Sequence, residues 1–241
     1  MSQLTRRQML TTTAAAGSVA VVSWFGVRNA GAQKDASLRP VVTPPTFAYL
    51  TPPEIAFVQA AIDCLIPGDA LGPGAKEAGV AYFIDQQLAG AFGRGETWYM
   101  QGPWKDGTAE QGYQLKLTPA ELYRVGIQAT DDYCQRAFAG KKFADLGAAE
   151  QDQVLHGLDK GEIELAGAPA KEFFAMLWQN TGEGFFADPM YGGNRDFAGW
   201  KLVGFPGPRY NYVNEIEQYG KPYTLPTVGL MGRNGSAMRE G

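Results

Sequence analysis

The 241-residue chain holds one histidine and two cysteines, and each scarcity removes a class of chemistry. Cys64, Cys134 and His156 lie in distant segments and cannot supply the four thiolates of an iron–sulfur cluster. A C-x-x-C-H run for covalent haem is missing as well. Gly90, Gly93 and Gly95 have the wrong order of spacings for G-x-G-x-x-G and lie among helical patterns, so no flavin or dinucleotide site is expected. The P-loop pattern is also lacking. His156 has no serine or cysteine near it in sequence, and the carboxylates of Asp131-Asp132 and Glu162/Glu164 diverge on their segments. Neither a nucleophilic triad nor paired acid–base work is predicted. The expectation is a chain with no catalytic, cofactor or metal site of its own.

Charge is unevenly spread. Residues 1–32 contain three arginines and no acid, and Arg6-Arg7 stands directly ahead of residues 9–25, a run without any charge. Ala30-Gly31-Ala32 then supplies the small-x-small pattern that a signal peptidase accepts. Paired arginines in this setting resemble a twin-arginine signal, a receptor-read address for proteins exported folded, so residues 1–32 are expected to be a signal peptide and the destination periplasmic. Without them the chain carries 18 Lys+Arg against 25 Asp+Glu, a net charge near −7, and nucleic acid is not an expected partner. In an oxidising compartment Cys64 and Cys134 are candidates for one disulfide, the alternative being two buried thiols.

With 45% hydrophobic residues the chain can bury a real core. Residues 33–49 are rich in Pro and Thr with no period and read as an extended leader. Leu50-Thr51-Pro52-Pro53-Glu54 and Leu117-Thr118-Pro119-Ala120-Glu121 both combine an N-cap threonine, a first-turn proline and a glutamate that completes a capping box. Apolar spacing predicts helices from 51 to Pro67-Gly68, from about 76 to 88, from 118 to about 138, around 150–158, and from 169 to 178. Between 89 and 115 the chain is Gly-rich, aromatic and aperiodic, which is long for a plain connection. After Asn180 the helical spacing disappears, and Lys201-Leu202-Val203 offers a short strand. The predicted fold is mainly α: a small helical domain over 50–219 with long irregular aromatic, Gly- and Pro-rich loops, and an extended C-terminal arm over 220–241.

Residues 185–212 gather eight aromatic rings and three prolines with no histidine or cysteine. Asp188, Asn194 and Asp196 beside Trp178 and Trp200 could form a sugar cleft, which gives one reading of the chain as a stand-alone periplasmic sugar-binding protein. Alternatively the acids and amides are turn chemistry and the rings face another protein.

The segment Thr181-Gly182-Glu183-Gly184-Phe185-Phe186-Ala187-Asp188-Pro189-Met190-Tyr191-Gly192-Gly193-Asn194, with Gly199-Trp200-Lys201 and Gly204-Phe205-Pro206-Gly207, resembles the signature block of the gluconate 2-dehydrogenase subunit 3 family. The Leu-Thr-Pro helix starts and Gln101-Gly102-Pro103 are similar too. The resemblance implies a non-catalytic small subunit of a membrane-associated, FAD-dependent sugar or polyol dehydrogenase. FAD would sit on a large subunit of the glucose–methanol–choline type and haem c on a multihaem cytochrome subunit, which would also provide the membrane association. The small subunit would escort the large one through twin-arginine export. Its expected partner interface is Phe185, Phe186, Asp188, Pro189, Tyr191, Gly192, Gly193, Asn194, Trp200, Phe205 and Pro206.

Overall fold

The computed structural model describes residues 46–105 and 107–232. Arg6, Arg7, the rest of the expected signal, most of the leader and the last residues of the arm lie outside them. Among the described residues there are six α-helices and no strand: α1 Pro52–Leu65, α2 Val80–Ala89, α3 Pro119–Ala137, α4 Ala148–Lys160, α5 Ala170–Phe186 and α6 Ala198–Leu202. The fold is therefore mainly α, as the spacing predicts.

The two proline-led starts behave as capping chemistry requires. Glu121 accepts from Thr118 N at 2.8 Å while Thr118 Oγ1 accepts from Glu121 N at 3.3 Å, so two orphan donors of the α3 start are satisfied reciprocally. At α1 the Glu54 carboxylate accepts from both Thr51 N and Thr51 Oγ1. Arg124 on α3 then joins the two starts. Its guanidinium lies 3.2 Å from Glu54, donates to the Tyr49 hydroxyl and carbonyl, and covers the Tyr49 ring at 4.5 Å.

The hub of the bundle is α5, which touches each of the other five helices. Its buried face runs through Ala170, Phe173, Leu177, Thr181 and Gly184 at spacings of three and four. Phe173 packs at a tilt against Phe57 of α1 and edge-on to Tyr123 of α3. At Gly184 the helix meets α2 so closely that a Cβ would lie 2.7 Å from the Phe83 ring and 2.9 Å from Val80.

Helix α5 continues eight residues past the predicted end at 178. Its last two turns bury polar and small residues where an apolar pattern is expected, and these are satisfied locally. Asn180 Oδ1 accepts from the Tyr123 hydroxyl at 3.0 Å, and Thr181 Oγ1 donates to Leu177 O at 2.7 Å. Residues 201–202 end α6 and are not a strand. Helix α2 starts at Val80 instead of 76, because Gly79 adopts φ +78° and interrupts the run. Of the two readings of Cys64 and Cys134, the disulfide is not formed, and both are free thiols. Cys64 Sγ turns to Gln151 Oε1 of α4 at 3.4 Å, while Cys134 is enclosed in the core, so the two sulfurs have different surroundings.

One carboxylate ties the segment entering α1 to the bundle. Asp85, fully buried on α2, accepts from the backbone N–H groups of Ala48, Tyr49 and Leu50 at 2.7, 2.9 and 2.8 Å. Replacing Asp85 by Ala strands those three donors and is expected to cost at least about 3 kcal/mol in urea unfolding, since each buried donor left unpaired costs about 1–3 kcal/mol. Asp85→Asn should cost less, and equal stability of Asp85→Ala and the parent would refute the role. Burial, with Asp131 adding to it, pushes the Cys134 thiol up to about 12. Only about one molecule in ten thousand then carries a thiolate at pH 8, so iodoacetamide should leave Cys134 unmodified until urea is added.

Candidate functional site

An α-helix ends with carbonyls that have no partner along the helix. At the end of α5 the following residues fold back to meet them. Trp200 Nε1 donates to Phe186 O at 2.7 Å, and Asn194 Nδ2 donates to Ala187 O at 2.8 Å. Asn194 is fully buried, and its Oδ1 accepts from Gly199 N at 2.8 Å, which fixes the turn that carries α6. The glycines are there for contact distance: a Cβ on Gly193 would lie 2.1 Å from Gly184 O, and one on Gly199 would lie 2.1 Å from Phe185 O. Three non-glycine residues, Asn194, Asp196 and Phe197, take positive φ of 47°, 53° and 60°. Such a run is costly and persists because the surroundings fix it. Phe197 stacks on Trp200 at 5.4 Å, and Arg195 N donates to Ala78 O, sewing the block to the loop before α2.

The block therefore divides into two sets of residues. Phe185, Pro189, Gly192, Gly193, Asn194 and Trp200, all expected at a partner surface, are buried in the chain's own packing. The reason is the helix end: these groups cap and cover it. Phe186, Tyr191 and Phe205 stay exposed, Phe186 at 44% and Tyr191 at 50%. Pro206 and Asp188 are half-buried. Asp188 accepts from Met190 N at 3.0 Å and from Leu230 N at 2.7 Å, so its carboxylate holds two chain segments. Phe186 and Tyr191, with Phe83, Gln87, Glu183 and Ala187, line an open apolar groove of about 460 Å³.

The sugar cleft offered as an alternative for Asp188, Asn194, Asp196, Trp178 and Trp200 is not assembled. Asn194 and Trp200 are buried at the helix end, and Trp178 lies on another groove of about 600 Å³ between α4 and α5, with Cys64 and His156. There His156 Nε2 is 3.8 Å from Asp152, one turn away, and both are well exposed. Burial, with Asp63 and Asp152 adding to it, pushes the Cys64 thiol up, which opposes its use as a nucleophile. Asp131 is committed to Phe143 N at 3.1 Å, and Glu162 and Glu164 are exposed on either side of buried Ile163. Among the described residues no group of three or more His, Cys, Asp or Glu side chains could hold a metal ion, and no helix is long and apolar enough to cross a membrane.

Sequence reasoning missed the structural use of Asn180 and Gly184. Their spacing from Phe173 and Leu177 carried the signal, masked by their polarity and size.

Taken together these features describe a helical scaffold whose aromatic block is mostly a helix-end lock, with a remaining apolar rim. The family profile of gluconate 2-dehydrogenase subunit 3 matches residues 52–207, from the start of α1 through the whole block, and the chain belongs to that family. Comparison with curated proteins and with solved structures returned no match.

Asn194→Ala removes both side-chain bonds and leaves a buried carbonyl and amide unpaired, so a loss of about 3 kcal/mol is expected in urea unfolding. Phe186→Ala and Tyr191→Ala should each cost under about 1 kcal/mol, because the rings are half in water already. The reverse ranking would overturn the division.

Proposed function

We propose that this chain is the non-catalytic small subunit of a periplasmic, membrane-associated, FAD-dependent dehydrogenase of sugars, gluconate or polyols. In this reading it is needed for folding, twin-arginine export and stability of the flavin-bearing large subunit. The observation that carries it is family membership across residues 52–207, which cover the complete block and its rim of Phe186, Tyr191 and Phe205. The large subunit is of the glucose–methanol–choline type and binds FAD, and a multihaem cytochrome c subunit takes its electrons and provides the membrane association.

The export half of the proposal rests on sequence. Arg6-Arg7, the uncharged run 9–25 and Ala30-Gly31-Ala32 have the order of a twin-arginine signal. A flavoprotein whose cofactor is inserted in the cytosol has to cross folded, and a partner with such an address can carry it. The interface half rests on the rim: apolar rings beside a rigid backbone offer contact area at small ordering cost.

Changing Arg6 and Arg7 together to lysine should leave flavin-dependent sugar dehydrogenase activity in the cytosol, and undiminished periplasmic activity would refute the escort role. The chain purified alone should show no flavin absorbance, and titration with sugars should give no saturable change in tryptophan fluorescence. A saturable response would favour the stand-alone sugar-binding reading instead.

A further inference from the structure

No described residue after Ala198 belongs to the main hydrophobic core. The chain from Pro206 to Val228 nevertheless leaves and returns at one place. Val228 N donates to Pro206 O at 3.2 Å, and a Cβ on Gly207 would lie 1.8 Å from Val228 O, so the two ends touch backbone to backbone. Arg209 donates to the carbonyls of Pro206 and Pro226 and lies 5.5 Å from the Tyr223 ring centre. Tyr212 donates to Gly207 O at 3.3 Å and meets Tyr223 at 6.0 Å. Leu230 N, just beyond, is held by Asp188. The base is closed by these contacts.

The part above the base is the opposite. Tyr210 and Tyr219 stand almost wholly in solvent, and Val213, Ile216 and Leu225 are more than half exposed. The turn Val213–Glu215 and the Gln218 Nε2 bond to Asn214 O give the tip a local shape of its own. A closed base under an apolar tip that is mostly in solvent marks an interaction element.

We propose that loop 208–227 is a preformed docking arm that lies against the flavin-bearing dehydrogenase subunit; this rests on the subunit reading above. Composition selects a protein surface. Four tyrosines, 210, 212, 219 and 223, supply rigid amphipathic area, and Arg209 and Lys221 are balanced by Glu215 and Glu217. Those glutamates flank Ile216 at the tip, where an anionic lipid surface would repel them. Position selects the same partner as the rim. Asp188, which pins Leu230, lies between Phe186 and Tyr191 in sequence, and Phe205 at the loop entry packs edge-on to Trp200 at 5.0 Å, whose indole caps Phe186.

The complex is isolated through a tag on the full chain, and the flavin retained per chain is measured for wild type and for the triple variant Tyr210→Ala, Ile216→Ala, Tyr219→Ala. At least a tenfold loss of retained flavin is expected, with the urea midpoint of the isolated chain unchanged because the replaced side chains are mostly in solvent. Hydrogen exchange on the wild type gives a second readout, in which amides of 209–225 should be protected in the complex and open in the isolated chain. Full flavin retention by the variant with no protection overturns the docking arm while leaving the subunit reading intact. Loss of self-association, or of binding to phosphatidylglycerol vesicles, in place of flavin loss assigns the loop to another surface and also overturns it. Wild-type chain that brings no flavoprotein with it overturns both.

Discussion

The end of one helix governs this molecule. Helix α5 touches every other helix among the described residues, so the bundle is only as well defined as its last turn, and that turn ends in carbonyls that a helix cannot satisfy by itself. The residues that follow it supply donors from Asn194 and Trp200 and bring Gly193 and Gly199 against the helix backbone at distances a Cβ would forbid. Strained φ values at Asn194, Asp196 and Phe197 are the conformational cost of turning the chain back so tightly. A buried, fully bonded network of this kind offsets that cost and fixes one arrangement.

The lock has a consequence at the surface. Because Trp200, Phe185 and Asn194 are consumed by it, the rings left over are those that point away from the helix end, namely Phe186, Tyr191 and Phe205. Their backbone is held from below, so they are presented without loss of loop entropy on contact. The same Asp188 that opens the turn at Pro189 holds the return of the 206–228 excursion. Core order and surface display thus share residues, which is why the block is long and why so much of it is chemically inert. In the proposed subunit role, shape at this end is what the chain contributes.

Much of the fold was legible because it follows local rules. Thr51 and Thr118 with their prolines and glutamates announced two helix starts, and apolar spacing located α1, α3 and α4 to within a few residues. The end of α5 was not legible, since Asn180, Thr181 and Gly184 look like loop residues until Tyr123 and Phe83 are brought against them. The start of α2 was hidden for a related reason: Gly79 breaks the helical run where Arg195 N bonds Ala78 O, from a segment more than a hundred residues away. Within the candidate interface the structure separates buried residues such as Asn194 and Trp200 from exposed ones such as Phe186 and Tyr191, a division the sequence does not carry. Composition reports how many rings there are and says nothing of which way each one faces.

By itself, then, the sequence determined the helical class, the two proline-led helix starts, the family resemblance through 181–207 and the pairing of Arg6 with Arg7 ahead of an uncharged run, all of them properties carried by adjacent residues. Only the tertiary structure decided that Trp200 and Asn194 close a helix, that Cys64 and Cys134 remain separate thiols, and that the chain after Pro206 is pinned at its base. The capping and pinning bonds need groups from different segments to meet at about 3 Å, and the two thiols stay apart because the fold gives them different surroundings; no local pattern encodes either outcome.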